Sequence, residues 1–501
     1  MTDLLRAEWT KFVSVRGWVF GLLGSVFAMV VVSALSASGD RPHCTSGCPS
    51  TVAGPDGEAV ADSYYLVHRQ LAGAGTITVE VTSLTGLLPP PHHAFGRPIP
   101  PAVPLSAGHS GRQPWAKAGL IVTASTTPGA PYAAVMTTGA HGIRMQYDYT
   151  HDVAGEASGK RWLRLRRAGD SVTGYESADG VHWKVIGTTH VPGLPARVQA
   201  GLFVTSPLNA QITEHPFVSS GAVGPTLATA TFAHLARRGA WSPGGWQGTD
   251  IGGPNGAYPA LSGGVHRSGN AFTVSGSGDI APQVSGVEGF GVTVDHTLAG
   301  EFAGLIAVAV LGAMFVTAEY RRGLIRTTLL ASPRRGRVLL AKAVVVGSLT
   351  FLAGLVGTTI SLILGHHILQ NVVYPVSTGT EIRVIAGTAA ILTGTAVAAL
   401  GLGAMARRSS AAITAIVVAI VLPYLLFPGL PATAAEWLLR LTPAAAFAVQ
   451  QTVPVYAQVA NSYTPVNGYY PLAPRAGLAV LGGYAALALV VAIVLLRRRD
   501  A

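Results

Sequence analysis

The chain has 501 residues, of which 49% are hydrophobic and only 11% charged, with a formal net charge of +11. An ordinary soluble domain carries roughly 25% charged residues, so the composition excludes an enzyme that is water-soluble throughout. The apolar residues gather in one N-terminal run and in about the last two hundred residues, leaving a Gly-, Pro- and Thr-rich middle that reads as soluble.

At the start, Leu5, Trp9, Phe12 and Val13 fall on one helical face with Asp3 and Lys11 roughly opposite, the pattern of a helix lying in a membrane interface. Residues 17–37 follow as an apolar run, and about 20 such residues are needed to cross a hydrocarbon core of roughly 30 Å. The run has a basic start and small residues at Ala34-Leu35-Ser36-Ala37, as a cleaved signal would. It exceeds a usual signal core of about 7 to 15 residues, and we read it as a retained span.

Residues 38–297 are too long for a loop. Ile77, Val79 and Val81 alternate with Thr78 and Glu80, the period of a half-buried strand. So do Ile143, Met145, Tyr147 and Tyr149 against Arg144, Gln146 and Asp148, and Leu163 and Leu165 against Arg164 and Arg166. Val198, Ala200, Leu202 and Val204 repeat the pattern. Turn signals such as Ala168-Gly169-Asp170 and Ala178-Asp179-Gly180 separate the runs, which argues for an all-β sandwich over 60–215. The rest, 216–297, has strand-like pieces, and its Gly and Pro density reads as a membrane-proximal β and loop region, loops packed on the sandwich or a collar. Cys44 and Cys48 are the only cysteines and are candidate disulfide partners. Closing so short a loop contributes roughly 2 kcal/mol. With His43 they are short of ligands for zinc, and no metal or cofactor is expected.

Five further apolar runs, 298–318, 338–364, 383–405, 411–430 and 475–496, bring the expected spans to six. Basic residues mark the cytoplasmic side of a membrane. Arg6, Lys11 and Arg16 precede the first span, and Arg321, Arg322, Arg326, Arg334, Arg335 and Arg337 lie between the second and third. Arg407 and Arg408 separate the fourth and fifth, and Arg497, Arg498 and Arg499 follow the sixth. All fall on one side, so both termini are expected in the cytoplasm and 38–297 outside the cell. This clustering explains most of the positive charge and discounts nucleic acid as a partner. Glu301, Glu319, Lys342 and Arg383 sit near span ends, where long side chains can reach the headgroups. No mid-membrane carboxylate or His offers the relay of a proton-coupled carrier, which suits an amphipathic or lipid-like cargo. His366-His367 reads as a solvated pair at a span end, and Pro423 as a packing bend.

The stretch between the second and third spans, Glu319-Tyr320-Arg321-Arg322-Gly323-Leu324-Ile325-Arg326, running through Leu329 to Arg337, is a basic hinge on one membrane face. It resembles the permease subunits of ATP-binding-cassette transporters of the type-2 exporter class, in which this loop forms the coupling helix; the resemblance covers about 1–38 and 298–501. Type-2 permeases commonly begin with an interfacial helix. The resemblance implies coupling to an ATPase through Glu319, Arg321, Arg322, Gly323, Leu324, Ile325, Arg326 and Leu329. It also implies a second permease half, identical or different, and two ATPase subunits.

A second resemblance covers about 60–215. The runs Ala61 to His68, Trp115 to Leu120, Trp162 to Arg167, Ser177 to Trp183 and Ala200 to Val204 look like bacterial concanavalin-like jelly-roll modules. That similarity implies glycan binding, with Trp115, Trp162 and Tyr175 able to stack on sugar rings. Ser177 to Trp183 also resembles the Asp-box of sialidases with one residue missing, and reads as a β-turn holding a buried Trp183.

Gly155 to Arg161 lacks the G-x-x-x-x-G-K-[ST] spacing of a phosphate loop, and neither H-E-x-x-H nor G-x-S-x-G occurs. The chain therefore reads as catalytically silent, with ATP hydrolysis on another polypeptide. Two rivals stay open. One is a membrane-anchored glycan receptor without transport. The other is a membrane-bound glycosidase, which needs two carboxylates about 5 to 9.5 Å apart; Glu80, Asp148, Asp152, Glu156, Asp170, Glu176 and Asp179 supply candidates but no convincing pair.

Overall fold

The computed structural model describes residues 2–39, 51–88, 108–156, 162–215, 218–252, 261–284, 292–323, 335–369, 372–427, 430–461 and 463–498. Among them are eight α-helices: α1 (Thr2–Ser14), α2 (Arg16–Gly39), α3 (Glu301–Arg321), α4 (Arg335–Leu369), α5 (Thr378–Ala406), α6 (Ser409–Leu426), α7 (Ala432–Leu441) and α8 (Pro474–Arg498). Six of these, α2 to α6 and α8, are long and apolar enough to cross a membrane. A large antiparallel β domain lies in the chain between α2 and α3.

Helix α5 packs against α3, α4, α6 and α8. Close approach depends on small residues, as expected where helices associate without a hydrophobic drive from water. A methyl group added at Gly312 of α3 would lie 2.2 Å from the Ala396 carbonyl oxygen of α5, and one at Gly401 would lie 2.9 Å from Ala488 of α8. The buried side chains Leu305, Val308, Leu392, Ala396 and Leu481 continue the same seam. Helix α7 and the buried 3-10 segment Pro443–Gln450 were not anticipated, since neither is long enough to register as a span.

In the β domain, one strand of 25 residues, Tyr64–Leu88, serves two layers. Its first part pairs with Arg197–Thr205, which continues through Lys117–Thr123, Tyr132–Thr138, Ile143–Tyr147 and His151–Ala154. Its second part pairs with Trp162–Ala168, followed by Ser171–Ser177 and Lys184–His190. Val67, Leu120, Val135, Val198 and Leu202 from the first layer meet Ile77, Val79, Leu163, Leu165 and Val172 from the second in one core. The first layer is buried on its reverse face too, where Leu66, Ile121, Met136 and Phe203 lie under Val60, Ile251 and Ile280. Every residue of Lys117–Thr123 is consequently buried.

The strand-like pieces after residue 216 join the same sheet: Leu227–Trp241 pairs along the long strand from Leu87 to Leu71, Gln247–Ile251 pairs with its start, and Ala271–Gly276 joins Leu227–Trp241. One sequence expectation needs correction here. The alternation Ile143 to Tyr149 overruns its strand, which ends at Tyr147; Asp148 and Tyr149 turn in the left-handed region at φ 44° and 59°.

The β domain rests on segments between the helices. Gln458 Nε2 donates to the Thr150 carbonyl at 3.1 Å, and the Tyr374 hydroxyl donates to the Val284 carbonyl at 3.2 Å. Ala281 and Val284 share a small core with Val459 and Tyr469.

Candidate coupling end of the helix bundle

Helix α1 presents Leu5, Glu8 and Phe12 inward, and leaves Trp9 and Val13 about half exposed. The inward face therefore differs from the one the apolar residues alone suggested, because its middle position is a carboxylate. Phe12 is buried against Phe315 of α3, with ring centroids 5.7 Å apart, and Trp18 of α2 meets the same Phe315 edge-on at 5.6 Å.

Beside this aromatic cluster lies a group of four charges. Lys342 of α4, 1% exposed, donates through Nζ to Glu8 Oε2 at 2.7 Å and to Glu319 Oε1 of α3 at 2.6 Å. Lys11 of α1 donates to Glu8 Oε1 and Glu319 Oε1, both at 3.1 Å. Lys342 Nζ also stands 4.8 Å from the Phe315 ring centre, a cation–π approach. Burial, the largest effect on Lys11, favours its neutral form, but Glu319 and Glu8 outweigh it and raise its pKa. Glu319 and Lys342 thus do not reach outward to headgroups; they face each other. A buried charge costs several kcal/mol unless paired, and here two carboxylates and two ammonium groups neutralise one another across α1, α3 and α4.

Glu319 was expected in the coupling loop, together with Arg321, Arg322 and Gly323. The structure places Glu319 and Arg321 within the last turn of α3. The helix stops where Arg322 N–H bonds to the Ala318 carbonyl and Gly323 turns at φ 67°, a helix end that glycine tolerates without a Cβ penalty. Arg321, Arg322 and Gly323 are exposed, directly above the charge group. Leu324, Ile325, Arg326 and Leu329 lie outside the described residues. The other basic span ends meet at this same end of the bundle. Arg335 Nη1 donates to the Leu496 carbonyl at 2.8 Å, and the Arg407 guanidinium lies 5.4 Å from the Tyr320 ring centre.

At the opposite end of α3, Glu301 is buried at 2% exposure rather than reaching headgroups. It accepts from Gln450 Nε2, which lies 3.1 Å from Thr388 Oγ1. His366 Nδ1 is 2.9 Å from the Leu362 carbonyl, a bond within its own helix.

Of the aromatic residues singled out for glycan contact, the structure brings two together. Trp162 and Tyr175 lie on the outer face of the second layer, where Trp162 pairs with Ser177 and Tyr175 with Arg164. Trp115 is elsewhere, 5% exposed and stacked on His141 at 3.9 Å, so its ring face is occupied. The Ser177 to Trp183 segment is a turn closed by Asp179 Oδ1, which accepts from Val181 and His182 N–H at 2.9 and 2.8 Å. Trp183 is half-buried, with Arg164 3.7 Å over its ring. Cys44 and Cys48 lie outside the described residues.

The β domain holds buried charges of its own. Lys117 Nζ donates to Asp279 Oδ1 at 2.6 Å and to the Ile280 carbonyl at 2.7 Å. Asp62 accepts from Gly129 N–H at 2.8 Å, while its Oδ1 is buried without a hydrogen-bond partner among the described residues; burial pushes its pKa up to about 7, against the Gly129 N–H and the Tyr149 hydroxyl, which lower it. Burial likewise raises Asp148 to about 6, against the Tyr132 N–H that lowers it.

No family model matches the chain, and no curated protein matches it. Solved structures with some likeness include a functionally unknown protein from Saccharomyces cerevisiae, 12% identical with a TM-score of 0.19 over 38% of this chain and 83% of that one. Another is SCP-B, a member of the eqolisin family of peptidases in a complex with the tripeptide Ala-Ile-His, 10% identical with a TM-score of 0.21 over 43% of this chain and 98% of that one. Likenesses this distant carry no argument for function.

Proposed function

We propose that the chain is the permease subunit of an ATP-binding-cassette exporter, working with a separate ATPase and a second permease half. In this reading the six apolar helices span the cell membrane, with both termini and the arginine-rich ends in the cytoplasm. The β domain, a jelly-roll, lectin-like insertion between the first and second spans, lies outside the cell and meets an envelope glycan. The cargo is amphipathic, lipid-like or glycan-related.

One observation carries the reading: Lys342, Glu8 and Glu319 join α1, α3 and α4 at the end where the arginine-rich segment between α3 and α4 begins. A motor pressing on Arg321, Arg322 and the following segment would act on a base already tied to three helices. Breaking the tie in place would leave buried charges unpaired, so α3 and α4 move with α1 rather than apart from it. Arg side chains suit such a contact because they offer bidentate hydrogen bonds to carboxylates. The test is to isolate the full chain from its own membranes at native abundance and identify what accompanies it. An ATP-binding-cassette ATPase in fixed ratio is expected; repeated isolation without one would move the reading to a membrane-anchored glycan receptor.

A further inference from the structure

The outer face of the second β layer carries charge that neither its own sheet nor the coupling end uses. Leu163 and Leu165 point into the core, so Trp162, Arg164 and Arg166 point out. Thr76 of the long strand pairs with Arg166 on one side and Arg238 on the other. Both arginines are exposed, and neither has an ion pair among the described residues. Strands lie about 4.8 Å apart, so these two backbone positions are separated by roughly 10 Å across the sheet.

The next rows along the strands are aromatic. Arg164 is fixed over the Trp183 ring and donates from Nε to Thr78 Oγ1 at 3.1 Å, with Tyr175 opposite it in the register. Trp162 stacks on His234 with centroids 5.3 Å apart, and His234 Nδ1 lies 2.9 Å from Glu80 Oε2. Glu80 is therefore occupied and does not neutralise Arg166 or Arg238. Gly180 also lies against the Trp162 ring, so Trp162 is enclosed, and the face combines two free guanidinium forks with the half-exposed Tyr175 ring.

We propose that this face binds an acidic polysaccharide. Uronate carboxylates would pair with Arg166 and Arg238, and a sugar ring would lie against Tyr175 in the neighbouring row. The charges favour an anion, and planar guanidinium groups match a carboxylate with two parallel hydrogen bonds. The adjacent Tyr175 ring favours a polymer built of sugar rings over a bare anionic chain. The inference rests on the lectin-like reading of the β domain and narrows it to one class of glycan.

The test uses the full chain in lipid nanodiscs, with polygalacturonate, neutral dextran and polyphosphate as probes. Polygalacturonate is expected to bind at least tenfold more tightly than dextran and to weaken as salt rises. The surface pair Arg166→Gln with Arg238→Gln should reduce that binding about tenfold, and Tyr175→Leu should reduce it several-fold. Dextran binding as well as polygalacturonate, unaffected by the arginine pair, would overturn this inference and leave the lectin-like reading standing. Polyphosphate binding equally well and indifferently to Tyr175→Leu would reduce the face to a bare charged surface. Binding of none of the probes would remove both.

Discussion

Lys117 in the β domain and Lys342 in the helix bundle are both lysines exposed by 1% or less, and they are held differently. Lys117 meets one carboxylate, Asp279, whose Oδ1 also accepts the Ile280 N–H, and spends a second donor on the Ile280 carbonyl. All these partners belong to one short segment laid against one strand, so the pair is a local rivet. Lys342 instead bridges carboxylates from two different helices, shares both with Lys11, and leaves Glu319 Oε2 without a partner among the described residues. Lys11 is 43% exposed, so this group is open on one side. The difference separates a charge that fixes one segment to one strand from a charge group that ties three helices together.

Breaking the junction should have the largest effect. Lys342→Met leaves Glu8 and Glu319 facing each other without their buried cation, a loss of about 3 to 5 kcal/mol by analogy with other broken buried pairs. Thermal unfolding of the solubilised chain should show it, and adding Glu8→Gln and Glu319→Gln should restore much of the loss. A single Lys342→Met change without effect would mean the four charges do not hold the helices.

Lys117→Met orphans only Asp279 and should cost less, about 3 kcal/mol. It should unfold the β domain earlier without separating α1 from α3 and α4, which hydrogen exchange of the α1 backbone amides would report. Loss of α1 protection in the Lys117 variant would erase the distinction between the two lysines.

Asp62 sharpens the contrast through pH. Its folded pKa, about 7, lies above the ordinary value of 3.8, so the folded chain keeps a proton that the unfolded chain has already released. By linkage this contribution to stability is greatest below pH 4, declines as pH rises from about 4 to 7, and is lost above. Asp62→Asn should flatten that slope and raise stability at pH 8 by about 2 kcal/mol. An unchanged slope would mean that another group controls it. The smallest effect is expected at Ser377, whose hydroxyl accepts the Thr380 N–H at 3.4 Å at the start of α5. Ser377→Ala should cost about 1 kcal/mol, and a loss several times larger would show that Ser377 does more than cap.

The six long apolar helices were legible because each apolar run is continuous, and the inward positions of Ile77, Val79, Leu163, Leu165, Val198 and Leu202 were legible from period-two alternation. What the alternation missed was burial on a second face: Ile121 and Phe203 sit on the reverse side of the first layer, so their strands read as continuous apolar runs. Strand-like pieces after residue 216 were legible, but their pairing with the long strand was not, because Gly and Pro between them obscure which runs meet. At the coupling end, Glu319 and the arginines stood out, but the partners of Glu319 did not. Glu8 and Lys342 are distant in sequence from it, and a lone charge near a span end has the same signature whether it reaches water or another charge. The one available signal was Glu8 sharing a helical face with Leu5 and Phe12.

In the proposed function, force from a separate ATPase enters at the exposed end of α3. The direct measurement is the ATPase rate of the reconstituted complex relative to the ATPase alone, with wild-type chain and with Arg322→Glu, whose side chain is exposed and outside the charge group. The account predicts that wild-type chain changes the rate and that Arg322→Glu removes at least four-fifths of that change, a loss of about 1 kcal/mol in coupling, while the chain still inserts and binds lipid. An equal rate for the two complexes, with both chains correctly inserted, would contradict it.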